Sequence, residues 1–143
     1  MGSDDPYDLD RFVLAQDQGG TYDSALTELR RGRKTSHWMW FAFPQIAGLG
    51  QSPTSRHFAI QSIDEAQAYL AHPVLGVRLT ECAEVVAATS DRTAPEIFGS
   101  IDAQKLRSSI TLFRQAAPDV TVFTTVLERF FDGEPDPETL KRV

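Results

Sequence analysis

Ser62-Ile63-Asp64-Glu65-Ala66-Gln67-Ala68-Tyr69-Leu70-Ala71-His72-Pro73-Val74-Leu75 is the stretch that decides the fold. A serine followed three residues later by glutamate is a capping box. The hydroxyl accepts from a later backbone amide, and the glutamate reaches back toward the cap. Ala66, Tyr69 and Leu70 then share one helical face. His72-Pro73 ends that helix and starts another, because proline is tolerated in a first turn and not in a helix interior. Leu75, Leu79, Cys82 and Val86 follow at three- and four-residue spacing.

The same punctuation continues in both directions. Asp8 is placed to cap a short helix carrying Leu9, Phe12 and Val13, which Gly19-Gly20 breaks. Thr21 opens a helix with Tyr22, Ala25, Leu26 and Leu29 in phase, and Gly32 closes it in the left-handed conformation. Thr93-Ala94-Pro95-Glu96 is a second capping box, and Gly99 stops its helix. Asp102 is expected to cap a helix to Ala116 with Leu106, Ile110 and Phe113 as its apolar stripe. Pro118 breaks it, Asp119 is expected to cap the next helix, Gly133 closes that one, and Asp136-Pro137 starts a terminal turn.

Residues 120–126 are rich in β-branched side chains, so a strand is the alternative there. The helical phase of Val122, Phe123, Val126, Leu127 and Phe130 favours a helix. The expectation is an all-α fold, a single domain over 1–143 with about seven or eight helices. Residues 1–5 are expected to form a flexible N-terminus.

Bulk composition agrees. The chain has 143 residues, 41% hydrophobic and 24% charged, which suits one globular domain without a disulfide or metal staple. Cys82 stands alone and reads as a buried structural thiol. The acidic start (Asp4, Asp5, Asp8, Asp10) has no signal-peptide character, and no apolar run spans a membrane, so a cytoplasmic location is expected. Met1-Gly2-Ser3 is compatible with an expression scar. A net charge of −6 disfavours broad nucleic-acid binding and leaves room for a local anion pocket. The chain is expected to be a monomer or weak dimer.

Three segments carry candidate chemistry. In Ser36-His37-Trp38-Met39-Trp40-Phe41-Ala42-Phe43-Pro44-Gln45, both tryptophans meet two phenylalanines. Wound as a helix, this segment is apolar on every side, so it is either the central core helix or a core helix that also walls a ligand cavity. Gly48 and Gly50 follow, permitting close backbone approach. His37 is a candidate general base or phosphate donor, against the plainer reading of an imidazole bonded to backbone. Arg30-Arg31-Gly32-Arg33-Lys34 is either a complement to a helix dipole or an anion clamp, with Arg33 and Lys34 as candidate ligands. On the helix after Gly99, Asp102, Lys105 and Ser109 fall on one side and are either structural pairs or a pocket edge.

Gly48-x-Gly50 lacks the third glycine and the preceding strand of a dinucleotide fingerprint, and no histidine pair has metal-ligand spacing. No cofactor or metal is expected.

Longer patterns resemble a known family. They include Asp5-Pro6-Tyr7-Asp8-Leu9 with Arg11-Phe12, Glu28-Leu29-Arg30 with Gly32-Arg33-Lys34, and Ser36 to Phe41 with Phe43-Pro44-Gln45. Gly48-Leu49-Gly50, Glu65-Ala66 with Ala68-Tyr69-Leu70, His72-Pro73, Ile97-Phe98-Gly99, Lys105-Leu106 and Ser108-Ser109 continue the match. Together these resemble an uncharacterised bacterial family of domains of unknown function, family 1810, which includes a mycobacterial hypothetical protein. Ile110 stands where that family carries methionine. The resemblance implies a compact multi-helical fold and no particular activity. Some members bear a calpastatin label, but nothing here resembles a disordered calpain-inhibitor repeat.

Two functions compete. One is binding or hydrolysis of a phosphorylated, ring-bearing metabolite of nucleotide or ADP-ribose type. Arg33 and Lys34 would hold the anion, Trp38 or Trp40 would stack on the ring, and His37 or Asp102 would act as acid or base. Lys105, Gln45, Gly48, Gly50 and Ser109 would complete the pocket. The other is a protein-interaction module using an exposed aromatic patch in Trp38–Phe43.

Overall fold

Capping residues, apolar stripes and left-handed glycines divide the chain into helices, and the computed structural model describes residues 5–143 of it. Residues 1–4, including most of the expected flexible N-terminus and all of Met1-Gly2-Ser3, lie outside the described residues. The first helix, α1 (Asp10–Asp17), leads through a 3₁₀ turn (Gln18–Gly20) into α2 (Thr21–Arg31). Then come α3 (Met39–Ala42), α4 (Pro53–His57), α5 (Ile63–Ala71), α6 (Leu75–Ala88), α7 (Ala94–Ala116), α8 (Thr121–Phe131) and α9 (Pro137–Leu140). The fold is all-α. Among the described residues the sole β feature is an isolated bridge between Ile46 and Ile60. The segment 120–126 is helical, and no helix among the described residues is long and apolar enough to cross a membrane.

The expected caps hold where the serine or threonine hydroxyl can reach an amide. Ser62 accepts from the Glu65 amide, and Thr93 with Glu96 forms a complete reciprocal box. Three aspartates expected as caps do other work or none. Asp8 sits at φ 52, and the Leu9 and Asp10 amides donate to the Asp5 carboxylate, at 2.6 and 2.9 Å. Asp119 precedes a helix whose cap position, Val120, makes no side-chain bond. Asp102 lies inside α7 and pairs with lysines. Gly32 closes α2 at φ 74, as expected, its amide reaching the carbonyls of Glu28 and Leu29.

Helix α7 runs through the middle of the molecule, packed on α5, α8 and α9, while α6 bridges α2, α5 and α8. Apolar stripes meet between them: Leu106, Ile110 and Phe113 from α7, Phe123, Val126 and Leu127 from α8, Leu75, Leu79 and Val86 from α6. Tyr69 packs its ring on Phe12 and Phe113, with centroids 5.1 and 5.3 Å apart. Glycine is required at Gly76. A Cβ there would lie 2.8 Å from the Leu70 carbonyl carbon and closer still to its oxygen, so α5 turns into α6 with no room for a side chain. Cys82 is buried as expected, and burial pushes its thiol up to about 12, which keeps it neutral and inert.

Candidate functional site

The expected helix over Ser36–Gln45 forms only as a single turn, Met39–Ala42. The reason is the residue that organises its approach, Glu28. Its Oε1 accepts from the Thr35 amide at 2.7 Å, the Ser36 amide at 2.8 Å and the Trp38 indole at 3.0 Å, while Oε2 accepts from the Ser36 hydroxyl at 2.6 Å. These bonds hold 35–38 as a loop folded back on α2. Burial alone would raise the Glu28 carboxyl. The Ser36, Thr35 and Trp38 donors outweigh it and hold the group at about 2. On the other side of the turn, Gln45 and Ala47 extend and exchange backbone bonds with Ile60.

This loop delivers Lys34 and His37 to α7. The Lys34 amide donates to the Ile97 carbonyl at 2.7 Å, and its ammonium reaches the Asp102 Oδ2 at 2.7 Å and the Ser36 carbonyl at 2.6 Å. Lys105 lies 3.4 Å from the other Asp102 oxygen, with its Nζ 4.4 Å from the Trp40 ring centroid. Lys34, His37, Trp40, Asp102 and Lys105 line one cleft of about 360 Å³ together with Met39 and Phe98. Gly99 makes this convergence possible. At φ 80 and ψ 162 it occupies a region open essentially to glycine alone, and it breaks α7 so that Phe98 and Asp102 both border the cleft.

Trp40 also lines an adjoining cleft of about 620 Å³ with Gln45, Leu49, Gly50, Ile101, Gln104 and Lys105. A smaller hollow of about 90 Å³ adds Gly48 beside Trp40, Gln45 and Gly50. The two glycines are also packing positions. A Cβ on Gly50 would lie 2.5 Å from the Ser55 side chain, and Gly48, at φ 100, lies under the Arg142 guanidinium.

Three sequence expectations need correction. Trp38 is fully buried and donates its indole N–H to Glu28, so it offers no stacking face to a ligand. Arg33 is exposed and stands outside the lysine cleft. Ser109 is fully buried, although it lies on the same side of the helix as Asp102. It sits about 10 Å further along the axis, at seven rises of 1.5 Å. There α7 is buried from Ser108 through Phe113. The Ser109 hydroxyl has no hydrogen-bond partner among the described residues. Ser109→Ala is therefore expected to raise stability by about 0.5–1 kcal/mol, read as a higher urea midpoint at unchanged slope; a loss above that size would reveal a missed partner. Of the block that the interaction module would expose, only Trp40 and Phe41 are partly accessible. Trp38 and Phe43 are buried, and Phe41 packs on Phe58 with centroids 5.3 Å apart.

The structure gives Glu28 a role not assigned to it above, and it gives Glu65 and Asp136, read above only as a capping-box residue and a turn start, long-range partners in Arg11, Gln104 and Ser108. Asp136 is buried. Its Oδ1 accepts from Gln104, and its Oδ2 from Ser108 and from the Thr139 amide and hydroxyl, which docks α9 against α7. A signal existed for Glu28 and Glu65. Each is a carboxylate on a helix face that also carries the apolar stripe, beside Ala25 and Leu29 or Ala66 and Tyr69. A buried carboxylate must find donors.

The match to known proteins spans the helices that build this site. The model of a family described as a protein of unknown function, DUF1810, matches residues 6–143. The chain belongs to the DUF1810 family. The chain is similar to a solved structure, the conserved hypothetical protein Rv1873 from Mycobacterium tuberculosis, at 47% identity. It superposes at a TM-score of 0.93, with 96% of each chain covered. No curated protein matches the chain. The fold of this DUF1810 chain is all-α, and its 34–50 segment and α7 line the two adjoining clefts.

Proposed function

We propose that this DUF1810 protein binds a phosphorylated, ring-bearing small molecule, of nucleotide or ADP-ribose type, in the cleft around Trp40. The observation that carries the reading is the Lys34–Asp102–Lys105 cluster. Two ammonium groups share one carboxylate inside a concave surface, leaving one positive charge there in a chain of net charge −6. His37 stands at the same rim and Trp40 supplies a half-buried aromatic face. Phosphate would be held by Lys105, Lys34 and His37, and the ring would pack against Trp40 and Leu49. Gln45, Gly48 and Gly50 shape the ring's side of the cleft.

The arrangement supports binding more directly than hydrolysis. Both Asp102 oxygens already face ammonium groups, so Asp102 orients the lysines instead of activating water. His37 is the remaining candidate acid or base.

Tryptophan fluorescence should report binding, because Trp38 is sealed in the core and Trp40 lines the cleft. Titration with AMP, ADP-ribose or inorganic phosphate is expected to change the emission, and Trp40→Phe is expected to abolish the change. Lys105→Ala should weaken nucleotide binding about tenfold, the size of one charge-assisted contact. Silence with all three probes at millimolar concentration would sink the proposal.

A further inference from the structure

The basic run Arg30-Arg31-Gly32-Arg33-Lys34 is divided by the fold. Lys34 goes to the Trp40 cleft, while Arg30 and Arg31 line a separate concave surface of about 490 Å³ where α2 and α6 end. Arg92, from the loop before α7, completes its cationic wall. This surface shares no lining residue with the clefts around Trp40.

Gly32 sets the geometry. It closes α2 at φ 74, and its bare Cα lets the Arg92 stem cross the helix end. A Cβ on Gly32 would lie 3.1 Å from the Arg92 Cδ and 3.3 Å from its Nε. A guanidinium from a distant loop is thereby brought to the surface that Arg30 and Arg31 line. Arg129 of α8 reaches the same edge, where its Nη2 donates to the Thr89 carbonyl at 3.4 Å.

Cations favour a helix C-terminus, but these arginines are not capping one. The Glu28 and Leu29 carbonyls of α2 accept from the Gly32 and Arg33 amides, and the Val86 carbonyl of α6 accepts from the Thr89 amide. Arg30, Arg31 and Arg92 make no hydrogen bond or ion pair to the protein among the described residues. Asp91 is the single carboxylate in the wall, and Glu96, which Arg92 attracts, is bonded to the Thr93 amide. Three exposed guanidinium groups thus share a hollow with one carboxylate, in a chain of net charge −6.

Apart from the Trp40 cleft, we propose that this surface binds a phosphate-bearing anion through Arg30, Arg31 and Arg92. A guanidinium presents a planar fork that fits two oxygens of one anion. A carboxylate has two oxygens and one charge, and a single fork satisfies it. A phosphate or pyrophosphate carries more oxygens and more charge, so it can engage forks arriving from two elements at once.

Pyrophosphate titrated into the isotope-labelled full chain at low ionic strength is expected to shift the amide signals of residues 30–32 and 89–92. Arg92→Gln should weaken that binding about tenfold, the size of one charge-assisted contact. Arg92→Lys should fall between the two, since it keeps the charge and loses the fork. Arg31→Gln alters the opposite wall and should weaken binding by a similar factor, independently of any rearrangement of the Arg92 loop. Both side chains are exposed, so the urea midpoint should stay unchanged. Succinate is expected to leave the same signals unmoved, and Lys105→Ala to leave the pyrophosphate shifts intact. No shift at these residues with millimolar pyrophosphate, or unchanged affinity in both glutamine variants, would overturn the proposal. Shifts that vanish in Lys105→Ala would place the anion in the Trp40 cleft and overturn it as well. Succinate binding as tightly as pyrophosphate would overturn the assignment to phosphate.

Discussion

Glu28→Ala is expected to destabilise the protein by about 4 kcal/mol, more than any substitution in the cleft itself. The carboxylate accepts four hydrogen bonds, and a hydrogen bond to a charged group contributes about 1.5–3 kcal/mol. The four share two oxygens, so their sum overstates the loss. The dominant cost is the indole N–H of Trp38, which is fully buried with Glu28 as its partner. Glu28→Gln keeps the shape and part of the acceptor capacity, so a smaller loss of about 2 kcal/mol is expected. Urea unfolding followed at the tryptophan emission separates these values.

Acid provides an independent reading of the same group. The Glu28 carboxyl lies at about 2 in the folded protein against an ordinary value of 4.5. A carboxyl lowered by folding stabilises the native state fully above its unfolded value. That stabilisation, about 3 kcal/mol from the difference between the two values, is lost as pH falls from 4.5 through about 2. Glu28→Gln has no proton to gain there, so its stability should fall less steeply across that window. Parallel slopes for the two proteins would show that Glu28 is not held ionised by its donors.

This dependence also explains what could be read from the sequence and what could not. Helix bodies and stops were legible because they are local. Ser62 and Thr93 reach amides three residues away, and Gly32 acts on the helix it terminates. Asp102 looked like a cap by the same rule. It is not one, because Lys34, 68 positions earlier, arrives beside it and offers a charged partner. The single turn at Met39–Ala42 was hidden for a related reason. Periodicity places apolar residues on faces, but Glu28 bonds the backbone of 35 and 36 and prevents the helix from starting earlier.

The site was legible in part. Lys34, the last residue of the basic run, does meet His37, Trp40, Asp102 and Lys105 in one cleft, while the arginines of that run do not. Choosing between the tryptophans required tertiary contacts, since Trp38 and Trp40 are two residues apart and point to different environments. Gln104 gave no signal, because its bond to Asp136 joins positions 32 apart in the chain.

Arg11→Met is expected to cost about 4 kcal/mol, within the range for stranding one member of a buried ion pair. The guanidinium donates to the Glu65 Oε2 at 2.8 Å and to the carbonyls of Tyr7, Asp8, His57 and Ala59. It thereby ties the 57–59 turn, which carries part of the wall beside Trp40, to the start of α1. Glu65 is 2% exposed, and its second oxygen holds the Gln61 amide at 3.0 Å. Without Arg11 a carboxylate is left in the interior with one amide to balance it. Glu65→Gln should be milder, about 1–2 kcal/mol, because Arg11 keeps its carbonyl partners. The double substitution Arg11→Met with Glu65→Gln should then be more stable than Arg11→Met alone, since it removes the stranded charge. A double-mutant cycle by urea unfolding measures this coupling. Additive losses would mean that Arg11 acts through its carbonyl bonds and that the ion pair contributes nothing of its own.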